Sequence, residues 1–403
     1  MTTLSVRCCI AGGGPAGIML GLLLARAGVD VLVLEKHADF LRDFRGDTIH
    51  PSTLEVMHEL GLLDELLARP HTKARTLGGE IGGEFMEVAD FTHLPTRCGF
   101  IALMPQWDFL DFLAGHAKQY ASFRLMMQTE AIGLITEAGV VVGLHTQGAD
   151  GELEIRADLI VAADGRHSVL RDAANFRVFD LGAPMDVLWM RLSRHPDDPS
   201  VSLGRFAAGR IFITLDRGDY WQCAFVIAKG GIEDVQARGL PAFRADIVSI
   251  VPAFADRVEE LRSWEDVKLL TVAVNRAREW WKPGLLLIGD AAHAMSPIGG
   301  VGINLAIQDA VAAANVLAKP LRVGPAGPDV LRLVQRRRET PTRLTQGLQI
   351  LLQNLVIKRV LKSTQTSGVP FALRLFQAMP VLRRLPARLI GLGFLPEHIH
   401  QDA

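Results

Sequence analysis

Neither sign of charge predominates in this chain. The 43 Lys and Arg residues nearly balance 44 Asp and Glu residues, and the formal net charge at pH 7 is -1. Proteins that bind nucleic acid favour a basic surface and a high pI, so the composition argues against that class. Cysteine is scarce, and no pair has the C-x-x-C spacing of a redox dithiol or a zinc knuckle. We therefore expect reduced thiols at Cys8, Cys9, Cys98 and Cys223.

Long apolar segments are also missing. The N-terminal stretch MTTLSVRCCIAGGG has no charged start followed by an apolar segment of signal length, and we interpret it as a first strand. No run of about twenty uncharged apolar residues occurs, which argues against a membrane-spanning helix. These absences predict a cytoplasmic protein, and 403 residues suffice for two or three domains.

The usual catalytic groups are scarce. The sequence shows no cluster of metal ligands, no nucleophile elbow and no pair of carboxylates suited to acid–base catalysis, so we expect no metal site. Difficult chemistry would then come from a cofactor, which the protein binds and orients.

The strongest local signal is a glycine-rich turn after the first strand. An apolar strand over Val6–Ala11 leads into Gly12-x-Gly14-x-x-Gly17 and then into a helix rich in Leu and Ala. In this pattern the first glycine permits a tight turn, the second lets the backbone approach a pyrophosphate, and the third lets helix and strand pack closely. The helix N-terminus then offers free amides to phosphate groups.

An acid follows the next strand at the appropriate distance. The strand Val29–Leu34 ends at Glu35, twenty-three residues after Gly12. A carboxylate at this point binds a ribose diol and would repel a 2′-phosphate, so the sequence favours FAD or NAD over NADP at this site. A glycine pattern alone is weak evidence, whereas strand, glycines, helix, strand and acid in this order are specific.

Two later strands also end in an Asp beside a Gly. Residues 158–171, DLIVAADGRHSVLR, form an apolar strand that ends at Asp164-Gly165, with Ser168 and Arg171 at helical spacing beyond it. A second apolar strand ends at Gly289-Asp290, and no second G-x-G-x-x-G follows a strand. Ligands of open α/β sheets lie at the carboxyl ends of the strands, so we expect both segments to converge on one dinucleotide. A ribityl hydroxyl is the predicted partner of Asp290.

The segment GLLLIGDAAHAMSPIGGVGINLAIQDA, residues 284–310, interrupts apolar sequence with proline and glycines. A helix that starts within Gly299–Asn304 would point its amides at the pyrimidine end of an isoalloxazine ring. Negative charge develops there when a flavin is reduced, and a helix N-terminus stabilises it. We expect Pro297 to shape a loop beside the flavin.

The GGGPAG turn, the DGRHSVLR segment and GDAAHAMSPIGGVGIN together resemble the single-component, FAD-dependent aromatic hydroxylases of the para-hydroxybenzoate hydroxylase-like family. The match covers residues 1–345 in order and spacing. The resemblance implies an α/β fold: a glutathione-reductase-like FAD-binding domain with an inserted antiparallel β-sheet substrate domain, followed here by a C-terminal helical extension.

The resemblance also assigns site residues. By position, Arg45 resembles the arginine near the FAD pyrophosphate, Gln106 the glutamine beside the flavin, and Asp164 the aspartate that helps to position FAD and nicotinamide. The complete expected cofactor site is Gly12, Gly14, Pro15, Ala16, Gly17, Glu35, Lys36, Arg45, Gln106, Asp164, Asp290, Pro297, Gly302, Ile303 and Asn304.

The implied activity is oxygen insertion. The flavin would take hydride from NAD(P)H, react with O2, and hydroxylate an aromatic or electron-rich apolar small molecule through a flavin hydroperoxide. Two alternatives stay open. The first is a flavin-dependent enzyme that does not insert oxygen, either an isoprenoid-reductase-like or a halogenase-like enzyme. The second is a flavin-fold protein that only binds a ligand. The W-x-W-x-I-P motif of flavin halogenases is absent.

No catalytic side chain is assigned, because the flavin carries the chemistry. His293 and Pro297 are expected near it, and the resemblance makes the histidine mainly structural. The sequence has only two tyrosines, Tyr120 and Tyr220. The best-known member of the family ionises a phenol through tyrosine hydroxyls, so a paired-tyrosine relay and para-hydroxybenzoate itself are disfavoured here.

We predict three domains. The FAD-binding domain takes residues 1–74, 99–180 and 277–345, and the substrate domain takes 75–98 and 181–276, where DVLWMRL, GRIFITLD and YWQCAFVIA are strand-like. On these strands Trp189, Arg191 and Trp221 are candidate substrate residues, against the alternative that the tryptophans belong to the core.

A Pro/Gly linker is predicted at residues 318–329, and residues 346–403 form a predicted C-terminal helical cap. Seven basic residues lie in the cap against two acids. One hypothesis is contact with a membrane surface or a lid over an apolar substrate. The other is burial on the FAD domain or in a homodimer interface, which is favoured because apolar residues surround the 348–361 helix on nearly all sides.

Overall fold

The structure is a computed structural model that describes residues 2–41, 48–149, 151–198, 203–363 and 371–400. Its strands are β1 Thr2–Ala11, β2 Val31–Leu34, β3 Thr48–Ile49, β4 Thr72–Ala74, β5 Thr76–Ile81, β6 Glu84–Asp90, β7 Ile101–Leu103, β8 Phe123–Met126, β9 Glu130–Glu137, β10 Val140–Gly148, β11 Gly151–Ala162, β12 Val178–Asp180, β13 Met185–Ser193, β14 Leu203–Ala207, β15 Arg210–Asp216, β16 Tyr220–Ala228, β17 Lys268–Leu270, β18 Asn275–Ala277, β19 Trp281–Lys282, β20 Leu285–Leu287 and β21 His293–Ala294. Its α-helices are α1 Pro15–Arg26, α2 Pro51–Glu59, α3 Leu63–Leu67, α4 Gln106–Ala117, α5 Val169–Ala173, α6 Ile232–Ala237, α7 Leu240–Ile250, α8 Gly302–Val323, α9 Pro328–Leu352, α10 Lys358–Lys362, α11 Phe371–Ala378 and α12 Arg384–Gly391.

A parallel sheet forms the base of the molecule. Its strands lie in the order β20, β11, β1, β2 and β8, and each neighbouring pair is parallel. The short β19 pairs antiparallel with β20, and the β9–β10 hairpin pairs antiparallel with β11. All strands of the parallel set therefore end at one edge. The second strand begins at Val31, two residues later than its sequence pattern predicts.

Three helices cover one face of this sheet. The interior of α1 is buried from Ala16 to Ala25, and α1 packs between α4 and α8. The segment Ile298–Val323, which comprises a 3-10 turn and α8, has the length and apolar composition of a membrane span, and 83% of its most apolar window is buried in the protein. This burial is that of a core helix rather than a lipid-facing one.

The chain also forms a second, seven-stranded sheet. Its strand order is β17, β13, β16, β15, β14, β5 and β6. The pairing is antiparallel except between β14 and β5, which run parallel, so the predicted antiparallel sheet is in fact mixed. The chain contributes two separate segments to this sheet, β5–β6 and β13–β17. The two segments meet at the parallel pair of β5 and β14.

The two faces of the second sheet contact different elements. Phe243 and Ile247 of α7 pack on one face, together with Leu188 and Met190 of β13. The other face, which includes Trp189, packs against residues that follow the parallel sheet and against the end of the helical segment after α9. This second face turns toward the glycine-rich segment near Ile298.

The linker predicted at 318–329 is wrong over its first half. Helix α8 continues through Pro320 to Val323, and only 324–327 connect it to α9. A proline inside a helix removes one backbone hydrogen bond. Here Leu317 and Leu321 are fully buried on either side of it, and their burial favours the continued helix.

The helix α9 passes through the predicted boundary between 345 and 346. It continues from Pro328 to Leu352, followed by a π-helical segment, Gln353–Ile357, and by α10. The predicted FAD-binding domain and helical cap thus share one helix.

Candidate active site

Adjacent strand ends bring the sequence motifs to one edge. The Gly12 amide donates to the Leu34 carbonyl at 2.8 Å, and the Ala163 amide donates to the Ala11 carbonyl at 2.8 Å. The Ile288 amide donates to the Ala162 carbonyl at 3.0 Å. Segments that lie far apart in sequence therefore leave the sheet side by side, as expected for a ligand site at carboxyl ends.

Two glycines of the first motif are fixed by close approach. A Cβ on Gly12 would lie 2.3 Å from the Ala163 carbonyl oxygen, and one on Gly17 would lie 1.9 Å from the Gly12 carbonyl oxygen. Gly14 differs, because a Cβ there would meet nothing within 4 Å. The structure thus packs the first and third glycines and leaves open space at the second, above the N-terminus of α1. Pro15 and Ala16 begin that helix, where proline is favoured.

Glu35 is buried at the end of β2 and turns back to the glycine turn. One carboxylate oxygen accepts from the Gly13 amide at 3.1 Å and the other from the His37 amide at 3.0 Å. Its neighbour Lys36 faces outward, with its ammonium 3.5 Å from Glu130. The glutamate lies at the site edge, whereas the lysine side chain does not.

Asp164 follows β11 on the other side of the turn. Its Oδ2 accepts from the Leu170 amide at 3.3 Å, while its Oδ1 is buried and has no partner among the described residues. Burial raises the pKa of Asp164 above its ordinary value, against the opposing hydrogen bonds from Ser168 and Leu170. A buried acceptor without a donor costs free energy until a ligand hydroxyl or amide supplies one.

Asp290 lies one strand further along the edge. The Arg166 guanidinium, in the loop after Asp164, comes within 3.7 Å of its carboxylate. Arg171 is buried behind this loop and donates to the carbonyls of Ala291 and Arg166, at 3.4 and 3.1 Å. The two Asp–Gly segments are therefore tied together by arginines.

The loop before α8 adopts a shape that requires glycine. Pro297 precedes a short 3-10 turn, Ile298–Gly300. Gly299 and Gly300 have φ values of 78° and 64°, in the left-handed region that side chains disfavour. A Cβ on Gly300 would lie 2.5 Å from the Thr48 hydroxyl, which donates to the Gly300 carbonyl at 2.8 Å.

The N-terminus of α8 points its first amides out of the helix. Gly302, Ile303 and Asn304 occupy the first turn, where backbone amides have no partner within a helix. A Cβ on Gly302 would meet nothing within 4 Å, so space lies beside these amides. The Asn304 side chain accepts from the His50 amide and the Thr53 hydroxyl, at 2.9 and 2.7 Å. Its backbone, rather than its side chain, is available to a ligand.

The two remaining expected residues are Gln106 and Arg45. Gln106 is the first residue of α4, half-buried, just after β7, which pairs with Thr48. Arg45 lies outside the described residues.

Two glutamines of α9 support the loop and were not predicted as site residues. Gln349 accepts from the Ser296 amide at 3.2 Å and donates to the carbonyls of Ser296 and Ile298, at 2.9 and 3.0 Å. Gln346 donates to the carbonyls of Asn275 and Ala294, at 2.8 and 3.2 Å. The only sequence signal is a glutamine pair at helical spacing, which does not name its partner.

His293 lies beneath the loop and not in it. Its Nε2 is 2.6 Å from Asp309, whose other oxygen accepts from Arg338 at 2.9 Å, and all three side chains are buried. Burial alone would raise the pKa of Asp309, but the charges and hydrogen bonds of His293 and Arg338 outweigh it and lower that pKa. Asp309 also accepts from the Gly289 amide at 3.0 Å. This network holds the loop backbone from below.

The three candidate substrate residues are separated. Trp189 is half-buried on the sheet face that contacts Ile298. Trp221 faces the other way, is buried under α7, and donates to Asp198 at 2.8 Å. The Arg191 guanidinium stacks 3.9 Å from the Tyr220 ring centroid. Trp221 is thus a core residue, and Trp189 alone lies toward the loop.

Arg191 and Tyr220 belong to an outer cavity of ≈ 460 Å³ at the far end of the second sheet. Its other lining residues are Ser193, Asp219, Glu260, Glu265, Asp266 and Lys268. Polar and open to solvent, this cavity contains none of the segments at the parallel-sheet edge. We therefore place the candidate active site at the edge and not in this outer cavity.

The fold and the edge match a known family. The family model described as FAD binding domain matches residues 5–347. The chain belongs to the FAD-dependent aromatic hydroxylase family. Its cofactor is FAD, and as a member of this family it is an oxidoreductase.

Proteins similar to this chain are named monooxygenases. It is 33% identical over 385 residues to 6-methylpretetramide 4-monooxygenase of Streptomyces rimosus, covering 94% of this chain and 91% of that protein. It is 31% identical to rifampicin monooxygenase of Streptomyces venezuelae over 75% of this chain, and spans 61% of that protein's length. In structure it resembles p-nitrophenol 4-monooxygenase of Pseudomonas putida, with TM-score 0.76 and 19% identity over 97% of this chain and 96% of the other. That likeness supports the α/β FAD-binding fold.

The residues at the edge fit FAD. Gly14 and Gly302 leave open space beside helix N-termini, and the Asp164 Oδ1 atom is a buried acceptor to which none of the described residues donates. A pyrophosphate suits the first helix, and an anionic reduced flavin suits the second.

Proposed function

We propose that this protein is a monooxygenase that uses NAD(P)H and O2 to hydroxylate an aromatic small molecule. The observation that carries the proposal is the apolar sheet face with Trp189. It packs in one cluster with Ile298, which precedes the amides expected to bind the flavin. The named activities of the similar monooxygenases support it. FAD would lie extended across the strand ends, as in glutathione-reductase-like domains.

The substrate class that we propose is a polycyclic phenol. The half-buried side chains that pack on the same cluster as Ile298 are aromatic and aliphatic, and they include Trp189, Phe206, Ile213 and Leu270. Such a wall binds a flat ring system by burial and stacking. The relative with 33% identity is named for a pretetramide, which supports a substrate of this kind.

The overall reaction balances with one nicotinamide. Substrate, O2, NAD(P)H and a proton give the hydroxylated product, NAD(P)+ and water. Bound FAD supplies hydride acceptance and oxygen activation. The chain's own residues orient the ring system and exclude water, since a wet site would release peroxide instead.

The amides of α8 have a distinct role. Gly302, Ile303 and Asn304 would hold the negative charge of the reduced pyrimidine ring, which a helix N-terminus favours. Glu35 would bind the ribose diol, and Asp164 and Asp290 would accept from hydroxyls or amides of the cofactor. These assignments are proposals that agree with the positions of the strand ends. The division into three domains is also a proposal, and its boundary between 345 and 346 falls inside α9.

The test is a screen of polycyclic and monocyclic phenols under 18O2 with the FAD-loaded protein. We expect a polycyclic phenol to stimulate NAD(P)H oxidation and to gain one 18O atom by mass spectrometry. Stimulated oxidation that yields only hydrogen peroxide with every compound would contradict the proposal, and so would a reduced product formed without O2 consumption.

Trp189 offers a second test. Trp189→Leu removes the aromatic wall, and an aromatic contact contributes about 0.5–1.5 kcal/mol beyond burial, so we expect KM to rise about tenfold. Trp189→Phe keeps a ring and should stay within about threefold of the wild-type KM. The matched control is Trp221→Phe in the core of the other face, which should leave KM unchanged. Equal KM values in all four proteins would remove Trp189 from the substrate site.

A further inference from the structure

The second half of α9 buries polar side chains and exposes apolar ones. From Gln335 onward its buried side chains are mostly polar: Gln335, Arg338, Thr342, Thr345, Gln346 and Gln349. The three glutamines bond to backbone outside the helix, and Arg338 donates to Asp309. A helix on a protein surface normally buries its apolar stripe and exposes its polar one. The reversal leaves apolar side chains facing away from the protein.

The outward face is a leucine stripe, which we define as Leu344, Leu351, Leu352, Leu355 and Val356. Leu344, Leu351 and Leu355 are 47%, 52% and 47% exposed, and they recur at helical spacing along one side. This corrects the expectation that the 348–361 segment is buried. Scattered exposed leucines are ordinary, whereas a continuous exposed stripe marks an interaction surface.

Positive charge accompanies the stripe. No Asp or Glu occurs between residues 340 and 396, while Arg343, Lys358, Arg359 and Lys362 lie on the same helical segment. Lys358, Arg359 and Lys362 are exposed and follow the last leucine directly. Among the described residues, these three have no ion-pair partner within 4 Å in the structure. An apolar stripe with a cationic border is typical of helices that lie in the plane of an anionic membrane interface.

We propose that the leucine stripe and its basic border dock on the surface of an anionic phospholipid bilayer. The stripe enters the boundary between headgroups and acyl chains, and the three basic residues after it contact lipid phosphates. The helix does not span the bilayer, since its other side is bonded to the protein. The docked enzyme would draw apolar aromatic molecules from the bilayer, a consequence that rests on the proposed function, whereas the docking itself does not.

Charge favours this occupant over a second copy of the chain. A two-fold axis near Leu351 would place Arg359 of one copy against Arg343 of the other. Glu339 lies 3.7 Å from Arg343 and offsets that charge, so each copy would still bring the three other cations to the paired stripes. Like charges at close range oppose association, while anionic lipids attract both groups.

The experiment is vesicle co-sedimentation of the FAD-loaded protein. Vesicles of equimolar phosphatidylglycerol and phosphatidylcholine should bind it, and phosphatidylcholine vesicles should bind it much more weakly. Lys358→Gln with Lys362→Gln should weaken partitioning about thirty-fold, from about fivefold per basic residue. Leu351→Gln with Leu355→Gln should reduce it by at least tenfold, from about 1.5 kcal/mol for each leucine withdrawn. High salt should weaken binding of the wild type.

Matched controls separate the surface from general effects. Leu269→Gln removes an equally exposed leucine from β17, and Arg26→Gln with Lys118→Gln removes two exposed charges elsewhere. Both should bind vesicles as the wild type does, and the flavin absorbance of each variant shows that it is folded. Equal binding to both vesicle types overturns the proposal, as does no binding. Sedimentation velocity that shows a wild-type dimer, separated by the leucine substitutions, assigns the stripe to a second copy instead.

Discussion

Replacing Gln349 by leucine tests the support of the flavin loop. The Gln349 side chain makes three hydrogen bonds, to the Ser296 amide and to the carbonyls of Ser296 and Ile298. Gln349→Leu leaves these groups without partners in a buried place, at a cost of about 1–2 kcal/mol each. Burial of the leucine methyl groups offsets about 1–2 kcal/mol, so the net cost is about 2–4 kcal/mol.

This free energy is lost from the loop conformation that is expected to bind FAD. Since about 1.4 kcal/mol is a factor of ten in an equilibrium constant, we expect the dissociation constant of FAD to rise about thirty-fold or more. Fluorescence quenching of FAD during titration of the apoprotein measures it. Gln147→Leu, at an exposed glutamine of β10, is the control and should bind FAD as the wild type does. An unchanged dissociation constant in Gln349→Leu would refute the supporting role.

Two further predictions concern the glycine turn and pH. Gly14→Val should fold normally yet lose FAD, because its side chain enters the open space expected to hold the cofactor. Gly17→Ala should destabilise the apoprotein, because its Cβ clashes with backbone. Circular dichroism measures folding and FAD titration measures binding, so together they distinguish the two variants. Burial lowers the pKa of His50 from 6.5 to about 4, so the unfolded chain takes up a proton first and stability falls as pH drops through this window. Urea unfolding should show a loss of about 2 kcal/mol from this group between pH 7 and pH 5. His50→Gln should remove that loss and the exposed His58→Gln should keep it; identical pH profiles in both would contradict the assignment.

The sequence predicts the parts of the site that depend on backbone conformation. Gly12 and Gly17 are needed because backbone passes within 2.3 Å of where their Cβ atoms would lie, and such contacts follow from a local pattern. The strand ends that carry Glu35, Asp164 and Asp290 are also recognisable from local sequence patterns. A parallel sheet then places them at one edge without further information.

Contacts between distant side chains could not be predicted in this way. Gln349 holds Ser296 from a helix 53 residues later, and no periodicity names that partner. The expected burial of the 348–361 helix was wrong. Gln346 and Gln349 face the protein and bond to loop backbone, and Leu351 and Leu355 face away from it. The helix through Pro320 was missed since burial of Leu317 and Leu321 outweighs the lost hydrogen bond.

The position of FAD in a crystal of the loaded protein tests the central claim most directly. We predict that the pyrophosphate lies over Gly14 at the N-terminus of α1, that the isoalloxazine ring lies against the amides of Gly302–Asn304, and that Asp164 Oδ1 accepts a hydrogen bond from the cofactor. Flavin bound in the outer cavity beside Arg191, or an Asp164 oxygen still without a donor in the complex, would contradict the account.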